Sequence, residues 1–299
     1  MKIVNNELCV YIWDEVQNPK AVIQVSHGLN EHGNRYDEFG KYMNKNGYIV
    51  YMEDHVSQGR SRTENEETVY FGKKGDMALV SNLIYTKELI KKEYPHLPVF
   101  VFGHSLGTSI IRRYIQVYGN DYDGVILNGG GVQKITGMSL VIVFGRFLSL
   151  FKAKKPSKFF DNMFRQTQLK LLEKVELNHF IQWLTRDEEI NQSDLNDPYL
   201  FIRVSVSSFV DMLTLIRDVN KRKNIEKGKH EKPILLMSGT HDPATNFGEG
   251  IKDLHKIYKS LGYNSHYKLY ENGRHDTLRE INRLDVFEDI VTFIGGHNG

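Results

Sequence analysis

Val99-Phe100-Val101-Phe102-Gly103-His104-Ser105-Leu106-Gly107 passes from an unbroken apolar run into a G-x-S-x-G turn. A helical pattern follows at once over Leu106–Tyr118, with Ile110, Ile111, Tyr114 and Ile115 on one face. An apolar run bounded by glycine reads as a strand buried on both sides, here Val99–Phe102. The pentapeptide alone is a weak signal. With a strand before it and a helix after it, it becomes a sharp strand–turn–helix that lifts the Ser105 hydroxyl to a helix N-terminus. There the Leu106 N–H faces any negative charge that develops beside that hydroxyl. The flanking glycines are required because such a turn leaves no room for side chains next to the serine.

Working outward, Cys9–Trp13, Ala21–Ser26, Tyr48–Met52, Gly124–Leu127, Ile234–Met237 and Tyr267–Tyr270 read as further strands. Tyr36–Asn46, Met77–Glu93 and Leu278–Ile294 carry helical spacing. The alternation predicts an α/β chain with a mostly parallel central sheet flanked by helices. From about 132 to about 209 no strand pattern appears, and apolar (Leu140–Phe151), basic (Lys152–Lys158) and acidic (Asp187–Glu189) patches alternate. This predicts a helical insertion over the C-terminal edge of the sheet, where α/β proteins bind ligands. The chain then divides into 1–131, an insertion 132–209, and 210–299. Lys221–Lys232 reads as a solvated, charge-rich loop.

Composition narrows the classes. The 299 residues are 40% hydrophobic and 25% charged, enough for a sizeable core. A net charge of +2 gives no footprint for nucleic acid. The single cysteine, Cys9, excludes an intrachain disulfide framework and any Cys-cluster metal site, and fits a reducing compartment. The N-terminus lacks the apolar region of a secretory signal. The longest apolar stretch, Met138–Phe151, is interrupted by Gly145 and Arg146 and falls short of the ~18–20 residues that span a bilayer. The expectation is a cytoplasmic protein that meets membrane, if at all, at its surface. No H-E-x-x-H, Walker A or G-x-G-x-x-G is present, so no metal and no nucleotide cofactor is expected.

A serine nucleophile needs a base, and the base needs an orienting acid. In this architecture they follow in the order serine, acid, histidine. Beyond the late strand Ile234–Met237 stand His241, His255, His266, His275 and His297. Of these, His275 ends Glu271-Asn272-Gly273-Arg274-His275, a turn between the last strand and the last helix, as the base requires. Asp242 follows that late strand through Ser238-Gly239-Thr240-His241, on the same sheet edge as Ser105. A second oxyanion N–H must come from the loop after an early strand, and Ser26-His27-Gly28-Leu29-Asn30 places Leu29 there. His27 reads as support for this loop, not as the base.

At this point a resemblance is plain. His27-Gly28-Leu29-Asn30-Glu31-His32-Gly33-Asn34-Arg35-Tyr36 resembles the HG-x-x-EH-x-x-RY signature of the monoacylglycerol lipase and lysophospholipase-like branch of the α/β-hydrolases. The segment from Pro98 through GHSLG resembles that branch's strand into the nucleophile. Arg274-His275-Asp276-Thr277-Leu278-Arg279-Glu280-Ile281-Asn282 is similar to its stretch around the base, and Trp183–Pro198 to the end of the cap in bacterial members. The resemblance spans nearly the whole chain. It implies the α/β-hydrolase fold with a helical cap insertion, and Ser105, Asp242 and His275 as catalytic triad. One departure stands where the branch often has D-x-R-G-H-G-x-S: here the run is Asp54-His55-Val56-Ser57-Gln58-Gly59-Arg60-Ser61.

The expected activity is hydrolysis of a carboxylic ester through an acyl-serine, with Leu29 and Leu106 as oxyanion hole and no cofactor. The expected partner is a small acyl ester or lipid with one chain: a monoacylglycerol, a lysophospholipid or a short ester. Glu31 and Arg35 either face a glycerol-like head group or form a buried ion pair holding the loop. The Met138–Phe151 stretch, with Val141 and Phe144, either lines an acyl tunnel, rests transiently on a membrane surface, or packs the cap onto the body. A serine aminopeptidase or amidase of the same fold is the alternative, with Glu31 or Asp187–Glu189 to bind a free amino terminus. A non-catalytic binding protein is a weaker one, since all three triad residues are present. No oligomeric state is assigned.

Overall fold

The computed structural model describes residues 2–4, 8–63, 66–132, 137–169, 177 and 180–297. Eight strands form one sheet: β1 (Lys2–Val4), β2 (Leu8–Trp13), β3 (Ala21–Ser26), β4 (Tyr48–Glu53), β5 (Val99–His104), β6 (Gly124–Asn128), β7 (Ile234–Gly239) and β8 (Ser265–Tyr270). Their order is β1-β2-β4-β3-β5-β6-β7-β8. The pairs β1–β2 and β2–β4 are antiparallel, and every later pair is parallel. Strand β5 sits in the middle, paired from Val22↔Val99 to Ser26↔Gly103 on one side and from Phe100↔Gly124 to His104↔Asn128 on the other.

The unbroken apolar run of β5 follows from burial on both faces. Val99 and Val101 enter the core under α2 (Asp76–Glu93), α3 (Leu106–Tyr118) and α9 (Glu249–Ser260). Phe100 and Phe102 point the other way, into the core beneath α1 (Asp37–Lys45) and α10 (Arg283–Gly295), against Phe39 and Phe293. Each such side chain taken fully out of water contributes about 1.5–3 kcal/mol. At the end of β4, Glu53 is wholly buried, and burial pushes its carboxyl up to about 8.

Between β6 and β7 lie α4 (Met138–Lys152), α5 (Lys158–Leu169), a 3-10 turn at Phe180–Trp183, α6 (Glu188–Leu195), α7 (Val206–Val219) and α8 (Arg222–Lys227). The described residues of 132–209 hold no strand, only the isolated bridges Val69↔Val204 and Pro156↔Ser205. Asp187 and Ser205 cap α6 and α7 by accepting the amides of Ile190 and Ser208. Helix α4 packs Met138, Ile142 and Gly145 inward. Gly145 is needed there, since a Cβ would collide with Val210 of α7 and Phe160 of α5. Among the described residues no helix is long and apolar enough to cross a membrane.

Several expectations need correction. The limit at 209/210 falls inside α7, which runs unbroken from Val206 to Val219. Lys221–Lys232 is not all loop, because α8 occupies Arg222–Lys227 and buries Ile225. The expected helix Leu278–Ile294 is a 3-10 turn, Thr277–Arg279, followed by α10 from Arg283. Strand β1 and helix α9 have no counterpart in the sequence reading.

The start of α3 lies so close to the end of β3 that a Cβ on Gly107 would run into the Ser26 carbonyl. Gly107→Ala should therefore destabilise the fold by about 1–3 kcal/mol, as overpacking does. In a domain this large each kcal/mol lowers the melting temperature by roughly 2–4 °C. Ser81→Ala, on the exposed side of α2, should stay within about 0.5 kcal/mol. Thermal unfolding of the two variants checks this, and equal melting would remove the close approach.

Candidate active site

Ser105 joins β5 to α3 with φ 51° and ψ −112°, a left-handed backbone costly for any residue but glycine. It is held there by the sheet on one side, where its N–H donates to the Asn128 carbonyl at 2.9 Å. On the other side the helix begins, and Thr108 donates to the Ser105 carbonyl through both its N–H (3.1 Å) and its Oγ1 (2.7 Å).

Asp242 leaves the end of β7 and His275 leaves the turn after β8, and the register of these parallel neighbours brings the two turns together. A Cβ on Gly239 would strike the Gly273 backbone, so glycine is what lets the turns close up. Asp242 Oδ1 lies 3.0 Å from His275 Nδ1 and also accepts the Ala244 N–H at 2.8 Å. Asp242 Oδ2 accepts from Ser238 Oγ at 3.1 Å. The carboxylate is thus fixed by three donors and wholly buried. Trp183 stacks on the His275 ring at 4.7 Å between centroids, and its carbonyl takes the His275 N–H at 3.4 Å. Sequence reasoning did not single out Trp183. In the sequence it enters only as the first residue of the Trp183–Pro198 stretch, with nothing to set its ring on the base.

The loop after β3 is a dense polar assembly. His27 Nδ1–H donates to its neighbour's carbonyl, Gly28 O, at 2.6 Å, and His27 Nε2 accepts the His55 N–H at 2.9 Å. Burial holds this ring well below the ordinary histidine range, hence neutral. Glu31 Oε2 accepts the Gly28 N–H (2.9 Å) and the Tyr36 hydroxyl (2.8 Å). Asp54 accepts from the N–H of Gly33 and of Arg60, each at 2.7 Å, tying the following loop to this one. Among the described residues neither the Leu29 nor the Leu106 N–H is taken by a protein acceptor.

Ser105, His275, Leu29, Leu106, Glu31 and His104 border one cavity of about 640 Å³. Its apolar wall comes mainly from α7, through Phe209, Met212, Leu213 and Ile216, with Met163 of α5. The expected lining residues Val141 and Phe144 are not on it. Val141 packs against the main core, and Phe144 is 47% exposed on the outer side of α4. The reason is the Gly145 crossing, which sets α7 between α4 and the cavity. The α7 residues were missed because their spacing reads as an ordinary amphipathic helix.

Arg35 is not on the cavity either. Its Nη1 lies 2.6 Å from Asp194 Oδ2 and its Nη2 2.8 Å from Asp276 Oδ2, with the side chain 3% exposed. Arg35 is thus tied to Asp194 and Asp276, with Glu31 at 4.0 Å. Arg279 forks onto the same Asp194 at 2.7 and 2.8 Å. Glu31, His104 and Asp276 bring one ligand atom each within 4.8 Å of one another, a spacing a cation could use. The Arg35 guanidinium already supplies positive charge there, bonded to Asp276 and 4.0 Å from Glu31.

Residues 17–282 match the family described as serine aminopeptidase, S33. Monoglyceride lipase of Rattus norvegicus is 37% identical over 119 residues, 40% of this chain and 37% of that protein. The putative monoglyceride lipase of Schizosaccharomyces pombe is 29% identical over 83% of this chain and 62% of its own. The first curated relatives, viral and mammalian, are thus matched over roughly a third of their length. Among solved structures, a thermostable carboxyl esterase from Bacillus coagulans in complex with glycerol superposes with a TM-score of 0.90, covering 98% of this chain and 94% of that one at 24% identity. With its fold, its elbow and a family match over most of its length, the chain belongs to the serine aminopeptidase S33 family and has the α/β-hydrolase fold.

Proposed function

We propose that the chain is a serine carboxylic-ester hydrolase for substrates with one acyl chain: a monoacylglycerol, a lysophospholipid or a short ester. One observation carries the reading. The Ser105 elbow, the Asp242–His275 pair and the amides of Leu29 and Leu106 all meet a cavity whose far wall is apolar. Ser105 Oγ attacks the ester carbonyl carbon and gives its proton to His275 Nε2. Asp242 Oδ1 accepts the Nδ1 proton and so keeps Nε2 available. The Leu29 and Leu106 amides stabilise the tetrahedral oxyanion. His275 then returns the proton to the leaving alcohol, and water repeats the sequence on the acyl-serine to release the acid. The α4–α7 segment acts as the cap, with α7 as its floor over the acyl chain.

The aminopeptidase alternative needs an acidic group for a free amino terminus. Both oxygens of Glu31 face protein donors, and none of Asp187–Glu189 borders the cavity. That favours the ester.

The outer face of α4 bears on where such a substrate is met. Leu140, Val143, Phe147, Leu150 and Phe151 are 59–76% exposed, and Phe144 and Phe159 about half. From 138 to 160 the sequence carries Arg146, Lys152, Lys154, Lys155 and Lys158 and no acidic residue. An apolar face framed by positive charge suits an anionic lipid surface.

Three measurements test this. Ser105→Ala should abolish ester turnover and labelling by a fluorophosphonate with melting unchanged; full labelling at one other serine would overturn the nucleophile. Each methylene buried is worth roughly 0.8 kcal/mol, so kcat/KM should climb about fourfold per CH₂ until the cavity fills. Met212→Trp should end that climb several carbons earlier in a C2–C16 monoester series, whereas Phe144→Asp should leave it in place. A C16 ester spared by Met212→Trp would move the acyl chain elsewhere. Finally, Phe147→Glu with Leu150→Glu should weaken sedimentation with phosphatidylglycerol vesicles at least tenfold, and wild-type binding should fall as salt rises. Unaltered partitioning would rule out α4 as the contact.

A further inference from the structure

Next to Ser105, His104 is drawn into a buried cluster that the mechanism above leaves unused. Its Nε2 lies 3.4 Å from Glu31 Oε1, and its Nδ1 2.9 Å from the Asn128 side-chain amide. Both ionisable side chains are almost completely removed from water, at 1% and 8% exposure. Glu31 is also the group that accepts the Gly28 N–H, one residue before the Leu29 amide. A Cβ on Gly28 would stand 3.1 Å from Ser105 Cβ, so loop and elbow touch at this point.

We infer that Glu31 and an imidazolium at His104 form a positioning ion pair that locks the two halves of the oxyanion hole to each other. Glu31 holds the loop carrying the Leu29 amide, and His104 belongs to the turn carrying the Leu106 amide. The inference rests on the ester-hydrolase reading, because an oxyanion hole needs a carbonyl substrate.

Charge balance supports the imidazolium. Glu31, Asp194 and Asp276 set three carboxylates against two guanidiniums, Arg35 and Arg279. A positive His104 offsets the third of these carboxylates, with buried Asp242 adding further negative potential, and a low-dielectric site favours such pairing. Asn128 serves either state of the ring. With its Nδ2 toward His104 it donates to a neutral Nδ1 and receives the Thr277 hydroxyl at 2.8 Å on Oδ1. Rotated by half a turn, it accepts Nδ1–H on Oδ1 and donates to Thr277 Oγ1.

The groups facing the pair are Arg35, Tyr36, His27 and His32 from the loop side and Asp276, Asp242 and the His275 ring from the other. Burial opposes the charge on His104, but Glu31 with Asp276 and Asp242 outweighs it and raises the ring above its ordinary value. Burial likewise opposes the charge on Glu31, and His104 and Arg35 hold it well below the usual carboxylate range. A raised histidine stabilises the fold below its unfolded value and loses that stabilisation as pH rises through its folded one. A lowered glutamate stabilises above its unfolded value and loses it as pH falls through its folded one. The pair is therefore intact between those two folded values, above the one of Glu31 and below the one of His104.

The test is Glu31→Gln, with His104→Asn as the second variant, each checked for melting. An interaction felt only in the transition state lowers kcat and leaves KM in place. We expect kcat to fall about ten- to a hundredfold, short of the ~10²–10³ lost when an oxyanion donor is removed outright. Affinity for an acyl trifluoromethyl ketone should fall by the same factor. Nitrogen-15 NMR of histidine-labelled wild-type protein, followed through a pH titration, should show one imidazole that stays doubly protonated above the ordinary histidine range and loses that behaviour in Glu31→Gln. That spectrum needs no turnover, so it tests the pair even if the substrate class is wrong. No imidazole held doubly protonated above the ordinary histidine range, or a folded Glu31→Gln enzyme with wild-type kcat and ketone affinity, would overturn the pair. If Glu31→Gln does not fold, His104→Asn decides, with retention of kcat the refuting result.

Discussion

The contact of Gly107 with the Ser26 carbonyl sets most of the site. It lets helix α3 start directly above the end of β3, so the amide at the head of the helix and the loop leaving the strand lie side by side. Neither a longer β5–α3 turn nor a side chain at 107 is compatible with that spacing. The left-handed backbone of Ser105 is its consequence: a strand that must turn into a helix within one residue puts that residue at positive φ. The strain stays local because sheet and helix each anchor the serine by hydrogen bonds.

Around this fixed point the other functional groups arrive by strand order. Parallel neighbours end at the same edge, so turns after β3, β5, β7 and β8 open on the same side although they are far apart in sequence. The buried charges stitch these turns together. Arg35 from the first loop reaches Asp276 beside His275 and Asp194 of α6, and Arg279 returns to Asp194. A buried charge stripped of its partner is very costly, so these pairs specify the arrangement more than they stabilise it.

Much of this was legible because it is local. The strand–turn–helix at Val99–Tyr118, the apolar strands and the order of serine, acid and histidine are read within short windows, and burial on both faces of β5 makes its pattern unmistakable. What was lost depends on distance. Nothing near Val141 or Phe144 says that Gly145 will admit Val210 and so place α7, not α4, over the cavity. The same holds for Arg35, whose acidic partners stand 159 and 241 positions away in the chain. Trp183 is recognised only once its ring is seen on His275. The split of the final helix also escaped, because Leu278 keeps the apolar phase of α10 across a turn that breaks the backbone pattern.

Glu53, sealed at the end of β4, carries a thermodynamic signature of its own. With its carboxyl pushed up to about 8, it is neutral at pH 7 in the folded chain, while in the unfolded chain a glutamate is ionised. Folding at neutral pH therefore draws a proton from the buffer. From this group alone the native state becomes less favoured as the medium is made more alkaline, between the ordinary glutamate range and about 8. The heat absorbed on melting then includes the protonation heat of whichever buffer takes up the released proton, so calorimetric enthalpies in phosphate and in an amine buffer are not the same quantity.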